Sequence, residues 1–153
     1  MSPLSFLGET NISYFTLPVA LVLALYPRSQ SAFSGPGEKI FDQSNPRTFA
    51  KRLESSDLDK ETVAKILRCE SASANGFENL PLYAAALVAG NSAGLSPTTM
   101  NVASVAYIVS RVVYNYVYIT LGGNRKLAGL RTPVWFAGIG CIMTLFVKAG
   151  LNA

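Results

Sequence analysis

The chain has 153 residues, the length of one domain, so we expect a single domain over residues 1–153. Half of the residues are hydrophobic and 14% are charged, against about 25% charged in an average soluble domain. This composition excludes a disordered chain, a collagen-like chain and a disulfide scaffold. The sequence has no histidine, and its two cysteines, Cys69 and Cys141, form no CxxC motif. A histidine-based triad and a structural zinc site are therefore excluded, and we expect no metal site.

Four stretches of the sequence are long and poor in charge. Residues 100–121 and 133–151 reach the roughly 20 apolar residues that a bilayer-spanning helix needs. Residues 11–26 and 80–95 reach that length only if their polar ends are included. Pro18, inside the first stretch, argues against an ordinary soluble helix but is tolerated in a membrane helix. The sequence therefore predicts an all-α integral membrane bundle of four helices.

Two other interpretations of these stretches are open. The first stretch could be a cleaved signal peptide, although no basic region precedes it and Glu9 stands just before it. The chain could also be a soluble four-helix bundle, which should show polar outer faces at helical spacing. Because residues 133–151 show almost no such face, we favour the membrane protein.

Basic residues are distributed unevenly between the predicted loops. Ten of the thirteen lie within residues 27–65 and 122–131, whereas the connection 90–97 carries none. The positive-inside rule makes the side of the two basic loops cytosolic, with both termini on the other face. We expect an internal membrane such as the endoplasmic reticulum. A net charge of +4 arranged in this way suits membrane orientation, and we expect no nucleic-acid partner. The alternative, that loops are simply polar, is disfavoured by the uncharged middle connection.

Local signals predict where helices begin. Ser96 followed by proline is typical of an N-cap, so the third membrane helix should start there. Asn45 followed by proline predicts a short amphipathic helix that runs through Leu53 in the first loop. Residues 57–67 have acidic residues first and then apolar residues at helical spacing, which predicts the start of the second helix.

Two polar stripes interrupt the apolar pattern at helical spacing. Their members are Arg68, Ser71, Asn75 and Glu78 on the second helix and Ser104, Tyr107, Arg111, Tyr114, Asn115 and Tyr118 on the third. Charges at lipid depth cost at least a few kcal/mol, so such residues are functional candidates. One hypothesis is a structural salt bridge between Arg111 and Glu78. The other is a polar pocket for a small zwitterionic ligand, in which a carboxylate holds an ammonium and arginine holds a carboxylate.

Two runs of residues resemble the signatures of the MAPEG family, the membrane-associated proteins in eicosanoid and glutathione metabolism. Residues 68–83, RCESASANGFENLPLY, are similar to its helix-two signature of asparagine, glutamate, proline and an aromatic residue. Residues 110–118, SRVVYNYVY, are similar to its helix-three signature of an arginine and two tyrosines four positions apart. The triplet at residues 45–47 also occurs in bacterial and fungal members. The resemblance covers nearly the whole chain and implies a homotrimer with active sites between subunits.

The resemblance also implies a glutathione-dependent transferase or peroxidase whose lipophilic substrate arrives from the bilayer. By position, Glu78 would hold the amino group of glutathione. Asn75 and Arg68 would support the tripeptide from the second helix. Arg28 would contribute from the first helix of a neighbouring subunit.

The implied catalytic residues lie on and after the third helix. Tyr114 and Tyr118 would line the site, with Arg111 placed to support them. Several members stabilise the glutathione thiolate with an arginine just beyond this helix. Arg125 and Arg131 are both candidates for that role, because loop lengths differ within the family.

Two departures from the family pattern motivate an alternative. Ser71 stands where many glutathione-using members have arginine, and Ser73 stands where histidine or glutamine is common. A missing guanidinium removes a charge-assisted hydrogen bond worth about 1.5–3 kcal/mol. The alternative is a protein of the same fold without glutathione, which binds, cyclises or isomerises a hydrophobic metabolite in a biosynthetic pathway.

Overall fold

The structure is a computed structural model that describes residue 8 and residues 10–153. Glu9, which enters the argument against a signal peptide, lies outside the described residues. The helices of the described part are α1 (Thr16–Ala32), α2 (Phe49–Glu54), α3 (Lys60–Ser92), α4 (Pro97–Tyr116) and α5 (Arg131–Asn152). Short 3-10 turns precede α1, α2 and α5, and a π-helical turn, Val117–Leu121, extends α4. No β-strand occurs in this part of the chain.

The four long helices run alternately up and down, which gives the bundle two distinct ends. At the terminal end, where α1 begins and α5 ends, the Asn152 amide donates to the Ala93 carbonyl at 2.6 Å. The Asn11 amide donates to Asn91 at the same end, also at 2.6 Å. At the loop end, residues 33–59 and 122–130 connect the helices. The basic residues that the sequence assigned to two loops therefore gather at one end.

The predicted helix starts at three places are confirmed. The Asp59 carboxylate accepts from the backbone N–H groups of Glu61 and Thr62 and caps α3. The Ser96 hydroxyl accepts from the Thr99 N–H and caps α4. In the first loop, α2 forms where the amphipathic pattern places it and buries Leu53.

The bounds predicted for the first helix are wrong at both ends. The helix begins at Thr16, so Pro18 lies in its first turn, where no intrahelical hydrogen bond is lost. It continues past Tyr26 to Ala32, so Arg28 belongs to the helix and the first loop is shorter than residues 27–65. The same holds for Arg131, which is the first residue of α5.

The interior proline of α1 is Pro27, and two neighbouring helices compensate for it. Proline lacks the N–H that would reach the Leu23 carbonyl one turn earlier. The Asn115 amide of α4 donates to that carbonyl at 2.9 Å. The Ser73 hydroxyl of α3 donates to the adjacent Ala24 carbonyl at 2.7 Å. Asn115, a member of the predicted stripe on α4, and Ser73 of α3 therefore satisfy backbone carbonyls of α1.

Two helical segments are long and apolar enough to cross a membrane, Pro97–Leu121 and Ala128–Asn152. They contain the third and fourth apolar stretches. Helix α3 has 33 residues, so at about 1.5 Å per residue it is longer than a hydrocarbon core of about 30 Å. Its polar first half therefore extends towards the loop end, and its apolar second half packs in the bundle.

The main core lies towards the terminal end of the bundle. Tyr83 of α3 is fully buried and stacks on Tyr107 of α4 with ring centroids 3.8 Å apart. Leu87, Met100 and Ile142 pack around them. A smaller cluster at the loop end seats α2 against the bundle through buried phenylalanine and leucine side chains.

Candidate functional site

Arg111 is the most unusual residue of the site, because its side chain is buried without a hydrogen bond. Only 5% of its surface is exposed, and none of its guanidinium nitrogens has a hydrogen-bond partner in the described part of the chain. Its guanidinium carbon lies 5.6 Å from the ring centroid of Tyr107 and 4.8 Å from that of Tyr114. Such cation–π contacts are worth about 2 kcal/mol when desolvated. Arg111 is thus held mainly by aromatic faces.

The hypothesis of a salt bridge between Arg111 and Glu78 is wrong. The ion pairs among the described residues are Arg28–Glu70 and Arg52–Asp42, and Glu78 is exposed. The physical reason lies on α5, where Gly138 leaves the room that the guanidinium occupies. A Cβ atom at that position would lie 2.6 Å from Nη2 of Arg111. The arginine therefore points towards α5 and does not pair with α3.

Two stacked tyrosines lie between two arginines along α4 and into α5. Tyr114 and Tyr118 stack with ring centroids 5.5 Å apart. The guanidinium of Arg131 lies 5.1 Å from the ring centroid of Tyr118, and that of Arg111 lies over Tyr114. We call these four residues the Arg–Tyr ladder. It brings together four of the residues that the sequence analysis selected, and it leads from the buried interior to the exposed loop end.

Glu78 and Asn75 lie three residues apart on α3. Glu78 is exposed, and the described structure shows no hydrogen bond or ion pair for its carboxylate. Asn75 is half-buried, and its amide nitrogen donates to the Ser71 carbonyl of its own helix at 2.9 Å. Within this one chain, neither residue is joined to the ladder by a described hydrogen bond.

Arg68 connects α3 to the end of α4. Its Nε donates to the Ile119 carbonyl at 3.4 Å, and its side chain packs against Gly122 and Gly123. A Cβ atom on Gly122 would lie 2.9 Å from Arg68 Cδ. Arg68 therefore supports the turn that follows the π-helical segment.

Arg28 lies apart from the Arg–Tyr ladder. Its guanidinium pairs with Glu70 at 3.6 Å, and the same carboxylate accepts from the Ser31 hydroxyl at 2.6 Å. An open cavity of about 520 Å³ lies between Arg28, Ser71 and Phe77. Within this chain, Arg28 therefore does not reach the tyrosines. Arg125 is exposed in the second basic loop, and the described structure shows no ion pair for it.

The two serines that depart from the family pattern have structural partners. The Ser71 hydroxyl donates to the Leu67 carbonyl of the same helix, α3, at 2.9 Å. Ser73 is buried and donates to α1, as described above. Ser73 therefore serves helix packing at a position where the family often has a larger polar side chain.

Sequence reasoning missed a large cavity in the described structure. It measures about 690 Å³ and lies between α1, α3 and α4 at the loop end. It also missed Glu70 as the partner of Arg28. The acidic residue was visible in the sequence, but its partner lies in another helix and only packing brings the two together.

Comparison with known proteins identifies the family. The model described as the MAPEG family matches residues 12–151 of the 153-residue chain. No curated protein and no solved structure matches the chain. The match covers both signature runs and all four long helices except the last residue of α5, and MAPEG proteins are membrane helical bundles that are generally associated with glutathione. The chain therefore belongs to the MAPEG family.

Proposed function

We propose that this protein is a membrane-embedded enzyme that activates glutathione and transfers it to a lipophilic electrophile. The observation that carries the proposal is the Arg–Tyr ladder, which brings guanidinium groups and phenols together in an otherwise apolar bundle. Such groups are expensive at membrane depth and are retained where they meet a ligand or a proton.

Glutathione carries an ammonium, two carboxylates and a thiol, and the chain offers a partner for the ammonium, for one carboxylate and for the thiol. The exposed Glu78 carboxylate binds the ammonium through a charge-assisted hydrogen bond. Asn75 and Arg68, on the same helix, support the peptide. Arg28 binds a carboxylate, since its guanidinium borders an open cavity.

The thiol lies at the outer part of the ladder. Thiolate is the reactive form, and adjacent arginine lowers the pKa of a thiol. Arg131 contacts Tyr118, and Arg125 lies earlier in the adjoining loop, so we assign thiolate stabilisation to this arginine pair and to the Tyr118 hydroxyl. The thiol proton passes to water. With an aryl halide, the sulfur lone pair attacks the ring carbon, and halide leaves with the electrons of the broken carbon–halogen bond.

A homotrimer completes the site in this proposal. Arg28 pairs with Glu70 and does not reach the tyrosines of its own chain. The exposed Glu78 also requires a polar partner if its surroundings are lipid. Packing the Arg28 side of one protomer against the ladder of the next brings Arg28 to the tyrosines and gives Glu78 a polar partner. The same arrangement gives three equivalent sites in a closed ring.

The membrane orientation follows from the charge at the loop end. We propose that residues 33–59 and 122–130 face the cytosol of an internal membrane such as the endoplasmic reticulum, with both termini on the other side. Glutathione then enters the proposed site from the cytosol. Glycosylation acceptors inserted in each loop test this, since modification of the loop between α1 and α3 in microsomes would contradict it.

The test is glutathione binding by the detergent-solubilised protein, followed by thiolate absorbance and by conjugation of a generic aryl halide. We expect saturable binding, and we expect Glu78→Gln to raise the KM for glutathione about tenfold, because it removes one charge-assisted contact. Arg125→Gln and Arg131→Gln separate the two arginines, since loss of kcat in one variant identifies the thiolate partner. Lys126→Gln, in the same exposed loop, is the matched control. No binding at millimolar glutathione would contradict the proposal.

The second candidate function uses the same pocket without glutathione. Ser71 motivates it, because serine offers no guanidinium to a glutathione carboxylate and its hydroxyl is used within α3. The protein would then bind, cyclise or isomerise a hydrophobic metabolite, with Tyr114, Tyr118 and Glu78 as acid–base groups. Turnover that continues after complete thiol removal supports this candidate, and strict thiol dependence excludes it.

A further inference from the structure

The 690 Å³ cavity between α1, α3 and α4 is a second candidate binding site. Its volume falls within the roughly 300–1,000 Å³ typical of small-molecule sites. Tyr26 of α1 and Tyr116 of α4 line it and are 52% and 59% exposed. The cavity therefore opens sideways between these two helices, on the outer surface of the bundle. In a membrane protein that opening faces the lipid.

The lining changes from apolar to polar along the helix axes. Leu23 and Val112 line the part that lies deeper in the bundle. Ser34, Thr62 and Lys65 line the part at the loop end. Along α3, the lining residues extend from Thr62 at the mouth to Cys69 in the deep part, a distance of about 10 Å along the helix axis. The cavity thus has an apolar deep part and a mouth rich in hydroxyl groups. This arrangement matches the polarity of an amphiphilic ligand.

The only charged side chain among the lining residues is Lys65. The described structure shows no ion pair for it, and no carboxylate lines the cavity. A cationic lipophile would meet no counter-charge here. Glutathione would find no carboxylate for its ammonium, so this cavity differs in chemistry from the region beside Glu78. An anionic headgroup is the complement of a lysine flanked by hydroxyl donors.

We infer that this cavity binds an anionic phospholipid of the surrounding bilayer. One acyl chain enters between Tyr26 and Tyr116 and lies along Leu23 and Val112. The phosphate sits at the mouth, where Lys65 and the Thr62 hydroxyl contact its oxygens. Basic residues near the ends of membrane helices are favourable sites for anionic headgroups. The inference requires a membrane protein of this fold but not the use of glutathione.

The test is lipid retention by the assembled, solubilised protein, measured by native mass spectrometry. The protein is first equilibrated with equal amounts of phosphatidylglycerol and phosphatidylcholine. We expect at least fivefold preferential retention of phosphatidylglycerol. Lys65→Gln should reduce this preference about fivefold, whereas Lys60→Gln, an exposed lysine of α3 outside the cavity, should leave it unchanged. Equal retention of both lipids, or equal effects of the two lysine variants, would overturn the inference.

A second variant tests the acyl-chain site independently of charge. Val112→Trp fills the deep part of the cavity from an exposed position of α4, so the bundle should still fold. Retention of phosphatidylglycerol should fall at least fivefold, with an unchanged thermal midpoint in lipid-free detergent. Unchanged retention would overturn the inference.

Competition identifies the source of the anion. Displacement by dodecyl phosphate but not by inorganic phosphate supports an anchored headgroup. Displacement by inorganic phosphate alone would overturn the acyl-chain assignment. Excess glutathione should displace nothing, because its proposed site lies on other residues.

Discussion

The two ends of the bundle satisfy their buried polar groups to different degrees. At the terminal end, Tyr83 stacks on Tyr107 and hydrogen-bonds the Thr16 hydroxyl. The Asn101 side chain there accepts from the Ile12 N–H at 2.8 Å and donates to the Thr10 carbonyl of the same segment at 2.7 Å. Polar groups at this end are paired with each other, and the packing is close.

The loop end is packed less closely and contains cavities. Cavities of about 690 and 520 Å³ open at this end, and the ladder that leads to it starts at Arg111, which is buried in the interior with no hydrogen-bond partner in the described part. Pro27 interrupts the backbone of α1, and neighbouring side chains complete it. The comparison indicates that the terminal end carries the stability of the bundle, whereas the loop end keeps polar groups and space for ligands.

The largest expected effect is on stability at the terminal end. Tyr83→Ala removes a fully buried ring, its stacking partner and a hydrogen bond. We expect a loss of about 3–5 kcal/mol in the free energy of unfolding. Tyr116→Ala, at an exposed position of α4, is the control and should change it by less than about 1 kcal/mol. Reversible unfolding in mixed micelles measures both, and equal losses would contradict the comparison.

A smaller effect is expected where α5 makes room for the ladder. Gly138→Ala places a methyl group 2.6 Å from Nη2 of Arg111 and 2.8 Å from Ser110 Oγ. We expect a destabilisation of about 1–3 kcal/mol from overpacking, together with a fall of up to about tenfold in kcat for aryl-halide conjugation as the guanidinium leaves Tyr114. Gly140→Ala meets no atom within 4 Å and should be neutral in both measurements.

Replacing Arg111 itself should separate stability from function. Arg111→Met removes an unpaired buried charge, and such replacements are often neutral or stabilising. We expect unfolding free energy to change by less than about 1 kcal/mol, while kcat for conjugation falls about tenfold. A large loss of stability would show that the arginine is mainly structural.

The smallest effect distinguishes the helix caps of the two ends by their response to pH. Hydrogen bonds from the Thr62 side chain and backbone hold the pKa of the Asp59 carboxyl below its ordinary value of 3.8. The stability that the Asp59 carboxylate contributes is therefore fully present above the ordinary pKa. It is lost as the pH falls through the lowered pKa of the folded state. Asp59→Asn should slightly flatten the acid limb of the stability curve. Ser96→Ala, at the terminal end, should cost about 1 kcal/mol at every pH. Thermal midpoints between neutral and acidic pH measure both.

The sequence was sufficient to predict the long helices and the family. Ser96 and Asp59 are local signals, since an N-cap is decided by a side chain and the N–H groups two or three residues later. The apolar runs of α4 and α5 are equally local. The end of α1 was not predictable in this way, because Pro27 reads as a helix stop until other helices supply its missing hydrogen bonds.

The amino-acid sequence by itself determined that this chain forms apolar helices, that its basic residues gather at one end, and that it carries both MAPEG signatures. Only the tertiary structure decided how the polar residues are used. Arg111 turns towards Gly138 and two tyrosine rings, Asn115 completes α1, and Arg28 pairs with Glu70. Each of these partners lies on a different helix. Helical periodicity specifies the face on which a side chain lies, whereas the packing of whole helices specifies what it meets there.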